Sequence, residues 1–169
     1  LQLLPFESVA GGDGRGLNRP WLQEHPDPLS TVMWNSWVEL APATAAELGV
    51  HDGDRVRIES ASAAVEALAV IDPAVRPEVV CMPAGHGHRD YGRYASGRGA
   101  NVAHVVGAAL VDGTGAPAWA ATRVRITRLG EGTLVRFGRS YESRGADEMI
   151  PVGWAPQDTS RPASREASV

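Results

Sequence analysis

The segment PATAAELGVHDGDRVRIES, from Pro42 to Ser60, constrains the fold more than any other part of the chain. A proline at its start and Gly49 just after its last leucine are the expected limits of a short helix. A tight turn, DGD, follows, and Val56 and Ile58 then alternate with charged residues. That alternation is typical of a strand with one buried face. The segment therefore predicts a helix, a turn and a sheet strand in direct succession.

Further short strands are predicted along most of the chain. Their apolar or alternating patterns and their β-branched residues favour extended structure. The runs are Leu1 to Pro5, Val65 to Ile71, Glu78 to Pro83, Thr122 to Thr127 and Thr133 to Phe137. We expect the last two to form a closing hairpin, because glycines separate them.

Few segments have the pattern of a helix. Besides the helix from Pro42 to Leu48, Asn101 is expected to cap a second short helix. The 19 glycines and 12 prolines divide the chain into short elements. Many short strands with two short helices favour a closed or nearly closed β-barrel, because closure removes exposed sheet edges.

Composition limits the domain organisation and the classes of partner. The chain of 169 residues fits one domain, predicted over residues 1–152. A Pro-, Ser- and Ala-rich tail, predicted to be flexible, follows over residues 153–169. The net charge of −4 argues against nucleic acid as a partner. The single cysteine, Cys81, excludes an intrachain disulfide and a thiolate-bound cluster within this chain.

Three segments resemble one known family. They are Pro42 to Ser60, Asp13 to Leu40 (DGRGLNRPWLQEHPDPLSTVMWNSWVEL) and Gly85 to Asn101 (GHGHRDYGRYASGRGAN). Together they resemble the C-terminal molybdopterin-dinucleotide-binding domain of the dimethyl sulfoxide reductase superfamily. Within it, they are similar to polysulfide-reductase-like subunits and to the iron–sulfur subunit of alternative complex III. The resemblance implies a mainly β fold, a six-stranded double-psi β-barrel with two short helices.

The same resemblance implies a function and a set of partners. The domain would hold a molybdopterin guanine dinucleotide for electron transfer, as the C-terminal part of a larger oxidoreductase subunit. Its partners would be the remainder of that subunit, an iron–sulfur electron-transfer module and a membrane-anchor or quinol subunit. The complex would face the periplasm or another extracytoplasmic space of a bacterium. Two alternatives remain open: a cofactor-free structural domain of the alternative complex III type, and a stand-alone double-psi barrel that acts as a binding module.

The glycine-rich loop after the first strand supplies the first candidate binding residues, Gly14, Arg15 and Asn18. Glycine lets backbone amides approach a phosphate, and arginine can bind a phosphate through two hydrogen bonds. The amides of Asn18 and Gln23 could also read the edge of a pterin or guanine. Equally, the glycines could serve a wide loop that needs positive φ angles, and the nearby tryptophans could simply pack.

The loop after Pro83 supplies the remaining candidates, His86, His88, Arg98 and Asn101, which the resemblance places beside the dinucleotide. Asn101 could instead be only a helix cap. The H-x-H pair lacks evident third and fourth ligands, so the sequence predicts no metal site. No nucleophile–base pair is present either. We therefore expect no catalytic residues in this segment, and a bound cofactor would carry the redox chemistry.

Overall fold

The computed structural model describes residues 1–137 and contains one six-stranded sheet. Five of the strands lie where the sequence predicts them, and one, the second in chain order, was not predicted. The strands are β1 (Gln2–Phe6), β2 (Trp37–Leu40), β3 (Arg55–Glu59), β4 (Ala64–Ile71), β5 (Val79–Pro83) and β6 (Arg125–Gly130).

The sheet closes on itself. Its strand order is β1-β5-β2-β4-β3-β6, with parallel β1–β5 and β2–β4 pairs and antiparallel pairs elsewhere. The run that enters β6 pairs with the start of β1: Leu1 and Val124 exchange two backbone hydrogen bonds of 2.9 Å. The Leu3 amide also donates to the Thr122 carbonyl. The first and last strands are thus joined, and the predicted six-stranded barrel is confirmed.

The barrel interior is filled by side chains from every strand. Leu3, Val38, Ile58, Ala69 and Val80 are completely buried, and Ile126 of β6 is nearly so. In β3 the buried residues alternate with exposed charged ones, as the sequence predicts. Because the interior is packed, a ligand can only be held by the loops outside it.

Both predicted helices are present. The helix α2 (Pro42–Leu48) ends at Gly49, whose φ of 63° is left-handed. Asn101 caps a 3-10 helix, Val102–His104, by accepting a hydrogen bond from the Ala103 amide. The structure adds three one-turn elements: α1 (Pro20–Glu24), α3 (Gly92–Ala95) and a 3-10 helix, Trp119–Ala121. Such short turns lack a full helical repeat, so the sequence pattern does not reveal them.

The predicted closing hairpin is wrong. β6 pairs with β3, whereas Thr133 to Phe137 runs beside residues 31–35. There the Met33 amide donates to the Val135 carbonyl at 2.9 Å. Arg136 also pairs with both carboxylate oxygens of Asp52. This ion pair and the backbone bonds hold the segment away from β6.

The predicted domain end at residue 152 and the predicted tail over residues 153–169 lie outside the described residues. Within residues 1–137, no helix has the length and apolar character needed to cross a membrane.

Candidate functional site

Two long loops from neighbouring strands meet above one end of the barrel. The first, residues 7–19, follows β1, and the second, residues 84–101, follows β5. Because β1 and β5 are parallel neighbours, both loops leave the sheet at the same end. The stretch that enters β2, residues 31–36, begins at this end too, since β2 is antiparallel to β5. All seven predicted binding residues lie in the two long loops, which we call the loop cluster.

Gly14 and Gly85 hold the two loops in backbone contact. Both have positive φ angles, 93° and 90°. A Cβ on Gly85 would lie 2.7 Å from the Gly14 nitrogen, closer than real Cβ atoms come. His88 adds a contact of 3.2 Å from its Nε2 to the Gly14 carbonyl oxygen. The predicted residues Gly14 and His88 are therefore brought together, and glycine is required for this close approach.

Asn18 and Arg15 touch the second loop as well. The Asn18 Oδ1 accepts a hydrogen bond of 2.9 Å from the Tyr94 amide. The Tyr91 hydroxyl donates to the Arg15 carbonyl at 2.7 Å. The Arg15 side chain is exposed and donates from Nε to the Asp13 carboxylate at 2.5 Å. Within residues 1–137 the Asn18 amide NH2 group has no hydrogen-bond partner, whereas Arg15 is already paired with an acid.

Although His86 belongs to the second loop, its side chain is buried beneath the two loops. Its side chain is 9% exposed and packs edge-on against Trp37, with ring centroids 6.1 Å apart. Burial, together with a smaller effect of the neighbouring His88, lowers the pKa of His86 to about 4. His86 is therefore neutral at pH 7, and its position suits packing beneath Gly11.

Arg98 and Asn101 lie at the end of the second loop. The Arg98 carbonyl accepts a hydrogen bond from the Gly87 amide at 3.1 Å. The Arg98 side chain is exposed. The Asn101 Oδ1 caps the following 3-10 helix. The two roles predicted for Asn101, helix cap and ligand-binding residue, are compatible because they use different atoms of its amide. Its amide NH2 group has no hydrogen-bond partner in the described part of the chain.

The loop cluster carries a net positive charge, although the chain as a whole is negatively charged. Residues 7–19 and 84–101 contain five arginines and three acidic residues, Glu7, Asp13 and Asp90, whereas the whole chain carries a net charge of −4. The arginines are Arg15, Arg19, Arg89, Arg93 and Arg98, and all five are exposed. Such a concentration of guanidinium groups, with free amide groups and glycines beside them, fits the phosphates of a dinucleotide.

The cavity beneath the loops is too small for such a ligand. It is lined by Leu17, Gln23, Trp37 and His86, among others, and leaves about 20 Å³, room for one water molecule. A dinucleotide would therefore lie on the outer surface of the loop cluster. Among residues 1–137, no group of three or more His, Cys, Asp and Glu side chains is arranged to hold a metal ion.

Two residues make contacts that the sequence does not predict. Gln23 is buried and donates both of its amide hydrogens, to the Leu17 and Tyr94 carbonyls at 2.6 Å each. It ties the two loops together instead of facing a ligand with its NH2 group. Trp34 has a φ of 61°, unusual for a bulky residue, and lies 5.1 Å from the Arg98 guanidinium. The Gln23–Tyr94 hydrogen bond and the Trp34–Arg98 contact leave no pattern in the sequence, because the two partners of each are far apart along the chain.

Comparison with known proteins gives a consistent set of relatives. The family model described as Molydopterin dinucleotide binding domain matches residues 17–123. The chain is 34% identical over 99 residues to the molybdopterin-containing subunit of the arsenate respiratory reductase of Shewanella sp. (strain ANA-3). That match covers 58% of this chain and 12% of the relative.

A second relative and a solved structure are also similar to the chain. The chain is 32% identical over 92 residues to the menaquinone reductase molybdopterin-binding-like subunit of Nitratidesulfovibrio vulgaris, covering 54% of this chain and 13% of the relative. It superposes on acetylene hydratase from Pelobacter acetylenicus with a TM-score of 0.59 at 19% identity. This fold match covers 75% of the chain and 18% of the hydratase. The chain thus spans only a small part of each relative.

Proposed function

The chain belongs to the molybdopterin dinucleotide-binding domain family of the dimethyl sulfoxide reductase superfamily, and from this premise we propose that its loop cluster holds a molybdopterin guanine dinucleotide. The cofactor supplies the redox chemistry when bound, and the chain supplies binding and orientation. Gly14, Asn18, His88, Arg98 and Asn101 are the residues that would face the cofactor.

Each part of the loop cluster has a distinct task in this proposal. Arg98 supplies positive charge for the phosphates. The free amide groups of Asn18 and Asn101 donate hydrogen bonds to the heterocycles. Gly14 and Gly85 keep the two loops close enough to act as one surface. Arg15 contributes less, because Asp13 already neutralises it, and His86 acts from below by supporting the loops.

The local reversal of charge is the observation that carries the proposal. A chain with net charge −4 places five arginines and three acidic residues in the two loops, an excess of two positive charges. Self-repulsion among these arginines is unfavourable unless an anion offsets it. The outer position of the cluster, over a packed barrel, further suggests that another part of a larger protein covers the cofactor.

Removal of the loop charges tests the proposal. The triple variant Arg19→Ala, Arg89→Ala and Arg98→Ala is compared with the control Arg57→Ala, Arg125→Ala, whose arginines are exposed on β3 and β6. We expect the purified triple variant to lose most of its bound guanine nucleotide, measured after acid release, and the control to keep it. Equal nucleotide content in both proteins would contradict the proposal.

The larger assembly is proposed on the resemblance and on the size of the relatives. The chain corresponds to 12–13% of the arsenate and menaquinone reductase subunits. We propose that it works within a large oxidoreductase subunit that passes electrons to an iron–sulfur module and a membrane or quinol subunit. An extracytoplasmic location is part of the same proposal. Co-purification of an iron–sulfur protein with the intact subunit is the direct check.

A cofactor-free structural role is the second candidate. The relative from Nitratidesulfovibrio vulgaris is described as a molybdopterin-binding-like subunit of a menaquinone reductase. In a protein of this kind the barrel would keep its fold and its loops would pack on other protein segments. Iron without molybdenum, tungsten or guanine nucleotide in the purified protein would favour this second function.

A further inference from the structure

The exposed arginines of the loop cluster differ in what holds them. Arg15 is fixed by the Asp13 carboxylate at 2.5 Å, so its charge is offset. Arg98 has no carboxylate within ion-pair distance among residues 1–137. Its guanidinium lies instead 5.1 Å from the centre of the Trp34 ring. An aromatic face attracts a cation without neutralising it or occupying its N–H donors.

The Trp34 ring is held in place at a conformational cost. Its backbone φ of 61° is in the left-handed region, which bulky residues rarely adopt. The Trp34 amide donates to the Gln23 carbonyl at 3.1 Å, and the next residue, Asn35, accepts a hydrogen bond from the Val135 amide at 2.7 Å. The surroundings thus impose the strained conformation, a feature that often accompanies a functional position.

The backbone next to Arg98 is also held by close contacts. Gly99 has a φ of 68° and lies so close to Ser36 that a Cβ could not be added without movement. The Ala100 amide donates to the Ser36 hydroxyl at 2.8 Å. Since Ser36 follows Trp34 by two residues, one short segment positions both the ring and the arginine. An open groove of about 260 Å³, lined in part by Trp34 and Gly99, adjoins them.

From these contacts we infer that Trp34 is a positioning residue that holds Arg98 ready for the diphosphate of the dinucleotide, and that Arg98 binds phosphate more strongly than Arg15 does. The inference rests on the proposed function for the identity of the ligand. Its physical basis is that Trp34 orients the guanidinium and leaves its charge and its hydrogen-bond donors free, whereas Asp13 takes the Nε donor of Arg15 and offsets its charge.

The rate of cofactor release from the purified holoprotein tests this division of roles. Released guanine nucleotide is followed over time for Arg98→Ala, Trp34→Leu, Trp34→Phe and the control Arg15→Ala. We expect release to be at least about tenfold faster in Arg98→Ala, the equivalent of one lost charged hydrogen bond. Trp34→Leu should be several-fold faster, while Trp34→Phe, which keeps an aromatic face, should stay within about twofold of the parent protein. Arg15→Ala should accelerate release clearly less than Arg98→Ala does.

The double variant Arg98→Ala, Trp34→Leu separates positioning from general stabilisation. If Trp34 acts through Arg98, the double variant releases cofactor no faster than Arg98→Ala alone. Multiplied effects, or wild-type release from both single variants, would overturn the inference. So would an equal effect of Arg15→Ala and Arg98→Ala.

Binding of inorganic pyrophosphate, measured by calorimetry on the same proteins, covers the case in which the parent protein carries no cofactor. Weaker pyrophosphate binding in Arg98→Ala than in Arg15→Ala then supports the inference although the proposed function has failed. Equal binding by the two variants, or no binding by the parent protein, overturns it.

Discussion

Arg128 binds both carboxylate oxygens of Asp54, from Nε to Oδ2 at 2.6 Å and from Nη2 to Oδ1 at 3.0 Å. The His51 amide donates to the same carboxylate at 2.8 Å. The Asp54 side chain is 4% exposed and the Arg128 side chain 38%, so this ion pair joins β6 to the turn before β3 with its acid covered and its arginine partly exposed. The Arg128 hydrogen bond holds the pKa of Asp54 at about 2. The aspartate of the Gly–Asp turn is thus a structural residue of the barrel.

Replacement of Asp54 should destabilise the barrel. In Asp54→Ala, the His51 amide and the Arg128 guanidinium lose their acceptor, and we expect a loss of about 1–3 kcal/mol in the free energy of unfolding. Asp13→Ala, which removes an exposed ion pair with Arg15, should cost clearly less, because water screens such a pair. Urea denaturation of both variants measures the difference, and equal losses would show that the Asp54 pair has no special structural role.

Acid should weaken the fold through His86. Its pKa is about 4 in the folded protein and about 6.5 when unfolded, so the unfolded state binds a proton first as the pH falls. Its contribution to stability is therefore complete above pH 6.5 and declines as the pH falls towards 4. We expect His86→Phe to show a shallower decline over this range. The exposed His104→Ala variant should keep the parent profile, and a parent-like decline in His86→Phe would refute the assignment.

Gly14 should tolerate a methyl group less well than Gly12. Both have positive φ angles, but a Cβ on Gly14 would collide with the Gly85 backbone, while one on Gly12 would meet open space. We expect Gly12→Ala to cost about 1 kcal/mol from backbone strain. Gly14→Ala should cost at least about twice as much, because the loops must also move apart. Thermal denaturation measures both, and the reverse order would contradict the loop contact.

Loss of Gln23 should loosen the second loop. Gln23→Leu leaves the Leu17 and Tyr94 carbonyls without their donors, so residues 89–93 should open more often. Tryptic cleavage after Arg89 or Arg93 is therefore expected to be several-fold faster than in the parent protein. Cleavage after Arg57, on β3, serves as the internal control. Unchanged cleavage in the second loop would mean that Gln23 does not tie the loops together.

The elements that sequence reasoning predicted correctly carry local patterns. β3 alternates buried and exposed residues, and α2 has proline and glycine at its limits, so each is visible without its neighbours. The short strand β2 was missed because its four residues, Trp37–Leu40, carry too little pattern to stand out. Thr133 to Phe137 was assigned the wrong neighbour because its partner, residues 31–35, is about a hundred positions away in sequence.

For the candidate site, the sequence likewise predicts which residues belong to it but not their surroundings. Residue types and the family resemblance led to all seven residues of the predicted site, and the structure gathers them in two adjoining loops. Burial and pairing could not be read from the sequence. His86 is covered, Arg15 is paired with an acid, and Arg98 rests on Trp34, because each state depends on the tertiary packing of loops.

The metal and nucleotide content of the purified protein that carries this chain tests the central claim most directly. Elemental analysis for molybdenum and tungsten is combined with measurement of guanine nucleotide after acid release. Because the loop cluster is expected to hold the cofactor, the protein should contain molybdenum or tungsten together with guanine nucleotide in stoichiometric amounts. A folded protein that contains iron but neither of these metals and no guanine nucleotide would contradict the claim.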